Sequence, residues 1–280
     1  MSYESSVGRT TIARNLFDAA SIKASGTLQL IGYDIEKPDI FNHFDKIKFD
    51  TSEFHINFPV IDLLKCRFCG SCIPFCPETA LHFDRSVPRI EIIPDRCKAC
   101  GECIKGCHIH IISGRQRLCG YIMQGRANGN YFTIGRSNEG HDYHLPLICE
   151  LNTKKQPGAT VICDLPPGNS GFVKMALQET NVAVIIVKPN RGWRRNVENM
   201  TSMLVSMDIP CGIIINKIKN EESFVTEVQQ YCNVEKIPLF GKIPYDLQLE
   251  LGKTSIDADY GDDLRAIFAD ILIKIQMISG

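Results

Sequence analysis

The chain has 280 residues, a formal net charge of −1, 44% hydrophobic and 22% charged residues. Those are the proportions of an ordinary globular protein with room for one substantial core and a smaller second unit, and near-neutrality argues against a nucleic-acid partner. The longest apolar run, Val182–Val187, is too short to span a bilayer, and thirteen cysteines with no signal-peptide pattern suit a reducing cytoplasm in which thiolates hold metal.

Taken in chain order, Ile12, Leu16, Ala19 and Ala20 recur at helical spacing and predict a helix over Thr10–Ala24. TLQLIGY (27–33) reads as a strand ending at Asp34. Residues 58–113 differ in composition from both flanks, and GYIMQGRANGNYFTIG, with Asn128-Gly129 between alternating segments, predicts a β-hairpin closing that insert. From 159 onward strands and helices alternate. The predicted strands are 159–164, 182–187, 211–216 and about 236–240; the helices lie near 170–179, 192–207 and 221–232. A terminal helix over 261–278 has apolar positions three to four residues apart and no basic enrichment, so it is assigned to the sheet rather than to a membrane surface. Short, nearly continuous apolar strands separated by helices mean a parallel sheet buried on both faces.

The insert carries one cysteine pattern twice, thirty-one positions apart. Cys66, Cys69, Cys72 and Cys76 read C-x₂-C-x₂-C-x₃-C and are followed by Pro77; Cys97, Cys100, Cys103 and Cys107 repeat the spacing and are followed by His108. A C-x₂-C-x₂-C run lets one loop offer three thiolates to one cubane, while the fourth cysteine points at the other. The expected ligand sets are Cys66, Cys69, Cys72 and Cys107 for one 4Fe–4S cluster, and Cys97, Cys100, Cys103 and Cys76 for the second. Structural zinc favours two separated C-x₂-C knuckles, and disulfides do not suit a reducing compartment. Cys119, Cys149, Cys163, Cys211 and Cys232 sit among apolar neighbours and read as core residues. His110, His141 and His144 lack metal-ligand spacing and read as surface or hairpin residues. Trp193, Arg194 and Arg195 read as a solvated helix start.

Open parallel sheets bind ligands beyond the carboxyl ends of their strands. There the chain places Asp34–Asp39, Asp164–Ser170, Lys188–Gly192 and Asn216–Lys219. Asp164-Leu165-Pro166-Pro167-Gly168 is the most informative: an acid able to hold Mg²⁺ through water, then a rigid turn whose glycine N–H can approach a phosphate.

DLPPG after an apolar strand, DIEKPD after an earlier one, GIIINK, and IPYD after IPLFGK resemble the MinD/Mrp/nitrogenase-iron-protein class of P-loop ATPases. The eight-cysteine insert narrows the resemblance to MinD-type ATPases carrying an inserted ferredoxin domain. It implies an α/β fold, a mostly parallel open sheet with helices on both faces, plus an inserted α+β ferredoxin-like domain. Residues 1–57 and 114–280 would form the ATPase-like body and 58–113 a bacterial-type two-cluster ferredoxin domain. By position, Asp34 would orient the attacking water, Asp164 and Thr10 would serve Mg²⁺, Gly168 the γ-phosphate and Asn216 the adenine. Pro244 would line the base pocket, and Glu36 and Pro38 match the family's acid and proline.

The phosphate loop departs from the family's approximate G-K-G-G-x-G-K-T-T. Gly8, Thr10 and Thr11 fit. However, Arg9 replaces the loop lysine, Glu4 the lysine that acts across the dimer, and Tyr3, Ser5 and Ser6 replace glycines that let backbone N–H groups approach phosphate. Only Met1–Tyr3 precede the loop where a central strand belongs. A start upstream of Met1, pairing by the short stub, or completion of the sheet by a partner chain would each meet that need.

The leading expectation is a cytoplasmic iron–sulfur electron-transfer protein with two 4Fe–4S clusters, in which Mg·ATP or Mg·ADP gates transfer to a redox partner protein. The resemblance implies a homodimer, or a heterodimer with a related ATPase, without nucleic acid or stable membrane insertion. The alternatives are an electron-transfer or adaptor protein with a degenerate, non-hydrolysing nucleotide site, and an iron–sulfur cluster assembly or carrier ATPase.

Overall fold

The computed structural model describes every residue except 3, 5, 24–25, 39–46, 85, 139–143, 254–260 and 280. Expectations at Tyr3, Ser5, Ala24, Asp39 and His141 fall outside the described residues. Helix α1 (Arg9–Lys23) leads to strand β1 (Leu28–Gly32), whose five residues are all buried. β1 is central: it pairs in parallel with β6 (Asn130–Ser137) on one side and β7 (Thr160–Asp164) on the other. Its one polar member, Gln29, is fully bonded through Thr133 Oγ1, the Lys154 carbonyl and the Gln156 N–H. A buried amide with every group paired costs the sheet little.

Two long strands carry the insert. β2 (Phe49–Ile61) enters it and β5 (Ile112–Ala127) leaves it, paired antiparallel from Phe49–Gly125 to Ile61–Ile112 with one irregularity at Phe54/His55. β5 turns into β6 at Asn128 and Gly129, both at positive φ, the two-residue hairpin that the sequence predicts. Inside the insert a two-stranded ribbon, β3 (Leu81–Asp84) with β4 (Arg89–Ile92), joins the cysteine runs, and a short helix, α2 (Glu102–Lys105), follows Cys100.

Helix α3 (His144–Thr153) precedes β7, and α4 (Gly171–Ala176) follows it. Then come β8 (Ala183–Val187), α5 (Trp193–Val205), β9 (Cys211–Ile218), α6 (Glu222–Glu235), β10 (Leu239–Pro244), α7 (Leu247–Glu250) and α8 (Asp262–Ser279). β8, β9 and β10 form a separate parallel sheet in the order β10-β9-β8, while the larger sheet runs β2-β5-β6-β1-β7. One core contains buried residues of α3, α4, α5 and α6; the other contains those of α1, α7 and α8. Helices therefore cover both faces, and Phe268, Ile271 and Leu272 fix α8 in the core, as its spacing requires. No described helix is long and apolar enough to cross a membrane.

Two expectations are corrected. Trp193 does not open a solvated helix start: it is buried, with Phe224 and Tyr231 packed edge-on against its ring at 5.8 and 5.5 Å. His144 is no surface or hairpin residue, since it starts α3 with its side chain 14% exposed.

β7 closes one sheet and β8 the other. Between them lies a cavity of about 580 Å³, walled by residues of both strands and by Ile12, Leu16 and Ile275. The N-terminal stub sits at one end. The Met1 amine donates to the Val184 carbonyl, and Ile186 N–H donates to the Met1 carbonyl at 2.9 Å. Gly168 N–H donates to the Ser2 carbonyl at 2.9 Å. The stub thus pairs, one of the three arrangements expected from the sequence.

Candidate functional site

The cysteine repeat is also a backbone repeat. Phe68, Gly70 and Thr79 have φ of 51°, 74° and 48°; their equivalents thirty-one residues on, Ala99, Gly101 and His110, have 55°, 78° and 53°. Residues at positive φ make the loop curl so that successive N–H groups face inward. Accordingly Phe68 N–H donates to Cys66 Sγ and Ala99 N–H to Cys97 Sγ, each at 3.4 Å. One loop conformation, folded twice, presents both thiol runs.

The structure gathers the thiols into two quartets. Cys72 lies within electrostatic reach of Cys107, Cys66 and Cys69, and Cys103 of Cys97, Cys76 and Cys100. Each group takes its fourth thiol from the other run. All thirteen cysteines are free thiols. Among the described residues no three His, Cys, Asp or Glu side chains converge closely enough for a single metal ion. Four soft thiols in each group fit the donor set of an iron–sulfur cluster. Burial raises the pKa of Cys72, Cys97 and, to about 11, Cys103. Exposed Cys69 is lowered by its hydrogen bond with Ser71, whose hydroxyl also meets His108 Nδ1 at 3.0 Å.

The buried cysteines divide between two cores, and Cys76 touches both. Cys72, Cys103 and Cys107 belong to a small core within the insert. Cys97 belongs to the main core of the α/β body, with Cys76, Ala99 and Cys149 of α3 packed on it. An ion pair of 2.6 Å between Lys98 and Glu78 ties the two runs beside that contact.

At the carboxyl ends of β1 and β7 the second set of residues converges. Thr10 Oγ1 donates to Asp164 Oδ2 at 2.7 Å, while the buried Asp164 Oδ1 has no partner. Burial pushes the Asp164 carboxyl up to about 6, against the opposing pull of Thr10 and Arg9. A hydroxyl, a carboxylate and one orphaned oxygen fit a hydrated Mg²⁺. Gly8 has φ 89° and approaches Asn216 so closely that a Cβ there would lie 2.5 Å from its Nδ2. Asn216 is buried and donates to the Val7 carbonyl at 2.7 Å, bracing the phosphate loop. Pro244, exposed, ends β10 in register with Ile218, two residues beyond Asn216. Thr11 lies in the first turn of α1 and its carbonyl accepts from Asn15.

Arg9 and Glu4 are both engaged within the protein, although the buried Arg9 Nε has no partner. Arg9 donates to Ser2 Oγ at 2.8 Å and to the Glu4 carbonyl at 2.6 Å, and its guanidinium lies 3.5 Å from Asp34 Oδ2. The Glu4 carboxylate accepts from Asn190 and Asn196 and lies 4.0 Å from Lys188. A planar fork spreads five donors over three nitrogens and so reaches acceptors on separate sides, whereas an ammonium offers three donors from one compact centre. Arg9→Lys should therefore release the loop and Asp34, and tighten Mg·ATP binding at least tenfold by isothermal titration calorimetry. Unchanged or weaker binding would show that this internal engagement does not limit the site.

Sequence reasoning missed α3. Its first residue, His144, pairs through Nδ1 with Glu36 at 3.1 Å and lies 5.3 Å from the Phe172 ring of α4. Near its other end, Asn152 accepts from Tyr33 Oη at 2.6 Å and donates to the Met175 carbonyl. One helix thus touches the loop after Asp34, the helix after the Asp164 turn, and the core around Cys97. Leu145, Leu147, Ile148 and Leu151, with intervals of three and four, were the available signal.

A family model described as a 4Fe–4S dicluster domain matches residues 58–108. Over 74 residues, 26% of this chain and 85% of the relative, the sequence is 32% identical to the pyruvate synthase subunit PorD of Methanocaldococcus jannaschii. Across the whole length the fold is similar to the MinD cell division protein of Aquifex aeolicus, with TM-score 0.54, 18% identity, and 99% of this chain and 95% of that one covered. It is also similar to the septum site-determining protein MinD complexed with Mg-ADP from Pyrococcus horikoshii OT3, with TM-score 0.58, 12% identity, and coverage of 100% and 95%.

Proposed function

Because residues 58–108 belong to the 4Fe–4S dicluster ferredoxin family and the chain as a whole has a MinD-type P-loop ATPase fold, we propose that it is an electron-transfer protein whose nucleotide state gates exchange with a redox partner protein. We take 58–113 as the electron-carrying unit, holding two clusters on the two crossed quartets, and 1–57 with 114–280 as the body. Bound clusters supply one-electron chemistry at low potential. Everything else falls to the chain's own groups. The thiols fix the clusters, Thr10 and Asp164 offer oxygens to Mg²⁺, and Asp34 faces the phosphate loop, held by Arg9. A dimer, with itself or a related ATPase, and a cytoplasmic setting go with this reading.

The observation that carries it is the shared helix. α3 meets Glu36, Phe172 and the Cys97 core, so a ligand that shifts either carboxylate loop acts on the packing around one quartet. Coupling requires Mg·ATP to favour one arrangement of that helix over another. The test is the electron paramagnetic resonance spectrum of the reduced, cluster-loaded protein with and without Mg·ATP. A changed line shape is expected, and His144→Ala should still bind nucleotide but lose most of the change. Nucleotide binding with no spectral response would overturn gating.

The second reading, an electron-transfer adaptor on a non-hydrolysing scaffold, is favoured by one observation: Arg9 and Asn216 already donate to groups within the protein. No binding up to millimolar Mg·ATP would select it.

A further inference from the structure

The two thiol loops repeat in backbone but not in the side chains that meet their exposed corners. Cys69 and Cys100 occupy equivalent places in the two runs, and both are exposed. Beyond them, Ser71 stands where the second run has Glu102, and His108 stands where the first run has Pro77. Ser71 Oγ lies 3.4 Å from Cys69 Sγ and 3.0 Å from His108 Nδ1. At the twin corner the Glu102 carboxylate accepts from Lys105 at 2.6 Å and has no proton to give to Cys100. Lys105 lies within electrostatic reach of Cys100, but Glu102 meets its charge and both side chains are open to solvent. Pro77 offers no side-chain donor or acceptor.

Counting protons gives the Ser71 contacts a direction. A cysteine that holds iron does so as a thiolate, with no proton of its own. Its sulfur can only accept, so the single Ser71 hydroxyl proton goes to Cys69. The Ser71 oxygen is then left to accept from the imidazole, and His108 donates from Nδ1. The order is His108 Nδ1–H to Ser71 Oγ–H to Cys69 Sγ. His108 follows Cys107, which is grouped with Cys69, so both ends of this relay are anchored on one quartet.

An electron taken up by a cluster adds negative charge that its sulfurs share. A donor aimed at one sulfur therefore favours the reduced form over the oxidised one, and such bonds help to set the potential. The Phe68 and Ala99 N–H groups serve the two runs alike, and a further backbone N–H, that of Ala80, reaches Cys76 Sγ at 3.2 Å. The Ser71 hydroxyl is a side-chain donor added to one quartet.

We propose that Ser71 and His108 form a donor relay that raises the reduction potential of the cluster held by Cys66, Cys69, Cys72 and Cys107. Ser71 acts by contact with the sulfur, and His108 is a positioning residue that acts through Ser71. The relay biases an electron shared between the two clusters toward the exposed Cys69 corner. The proposal rests on the electron-transfer reading above, and its test separates the two.

Potentiometric titration of the cluster-loaded protein, followed by electron paramagnetic resonance, reads both couples. Cys76→Ala, which should retain only the cluster of its own run, identifies which couple is which. Ser71→Ala should shift that cluster about threefold or more toward the oxidised form, about 28 mV for one electron, and leave the other couple in place. Ser71→Thr keeps a hydroxyl and should keep the parent value. His108→Ala should move the same couple the same way, whereas His108→Asn, with an amide N–H to offer Ser71, should not. Ser71→Ala with His108→Ala should shift it no further than Ser71→Ala alone, since the histidine works through the hydroxyl. Two couples unmoved by Ser71→Ala, or moved equally, overturn the proposal and leave the electron-transfer reading standing. Additive shifts in the double variant do the same, because His108 would then act by itself. Loss of iron from Ser71→Ala also counts against it, since the hydroxyl is assigned to the potential and not to holding iron. A parent protein with little iron, or with no reversible couple, overturns the electron-transfer reading and the proposal with it.

Discussion

Cys76→Ala is expected to remove the cluster of the Cys97 run and leave that of its own run intact. Cys76 lies in the first run by sequence but in the second quartet by position. Iron should fall from about eight to about four per chain, and the reduced spectrum should simplify as the interaction between two neighbouring paramagnets disappears. Cys107→Ala is the reciprocal experiment, since Cys107 is grouped with Cys72, Cys66 and Cys69. Double variants decide the pairing. Cys76→Ala with Cys97→Ala should cost no more iron than either alone, whereas Cys76→Ala with Cys72→Ala should cost both clusters. The opposite pattern would refute the crossed arrangement. A zinc-filled protein with little iron would refute cluster binding altogether.

Asp164→Asn should stabilise the protein while disabling its cation site. The carboxyl is enclosed, and its pKa of about 6 exceeds the ordinary 3.8 because burial disfavours the charge. The folded state therefore holds the proton more tightly than the unfolded state. Stability is unaffected by this group below about pH 4, falls as pH rises from about 4 to about 6, and stays reduced above that. The difference between 3.8 and about 6 corresponds to about 3 kcal/mol. The asparagine keeps an oxygen for Thr10 and carries no charge. Its Tm should match the parent near pH 4 and exceed it by several degrees at pH 8. Mg·ATP should raise the Tm of the parent but not of the variant. A variant less stable than the parent at pH 8 would mean that the carboxylate is already compensated, and that its free oxygen does not await a cation.

Much of this architecture is legible because buried strands leave an unmistakable trace. LQLIG, TVICD, AVIIV and CGIIINKI are nearly continuous apolar runs, and each lies within a residue or two of its expected place. β2 left no such trace. FDTSEFHINFPVI is largely exposed at its start and is held by pairing with β5, which a single segment does not reveal. α3 was hidden by its brevity and by Pro146 in its first turn. At the phosphate loop the residue types were readable and their partners were not. Arg9 faces Asp34 twenty-five positions on, and Glu4 faces Asn190 and Asn196 across the whole fold. Charge alone predicts repulsion of a nucleotide by Glu4; the fold answers that charge from within.

The manner in which the iron-binding unit is mounted bears on how it meets other molecules. A carrier on a flexible tether samples many orientations and visits several acceptors at a concentration set by linker length. Here the mounting is a long antiparallel ribbon, paired from Phe49–Gly125 to Ile61–Ile112 with one irregularity at Phe54/His55. Such a ribbon bends and twists as a unit and has no free joint about which its end can swivel. The orientational freedom of a small soluble carrier is surrendered when the chain folds, before any acceptor arrives. On the proposed electron-transfer reading, an acceptor would have to match a fixed presentation of thiol loops and neighbouring body surface together, and a freed copy of the insert would dock more promiscuously than the whole.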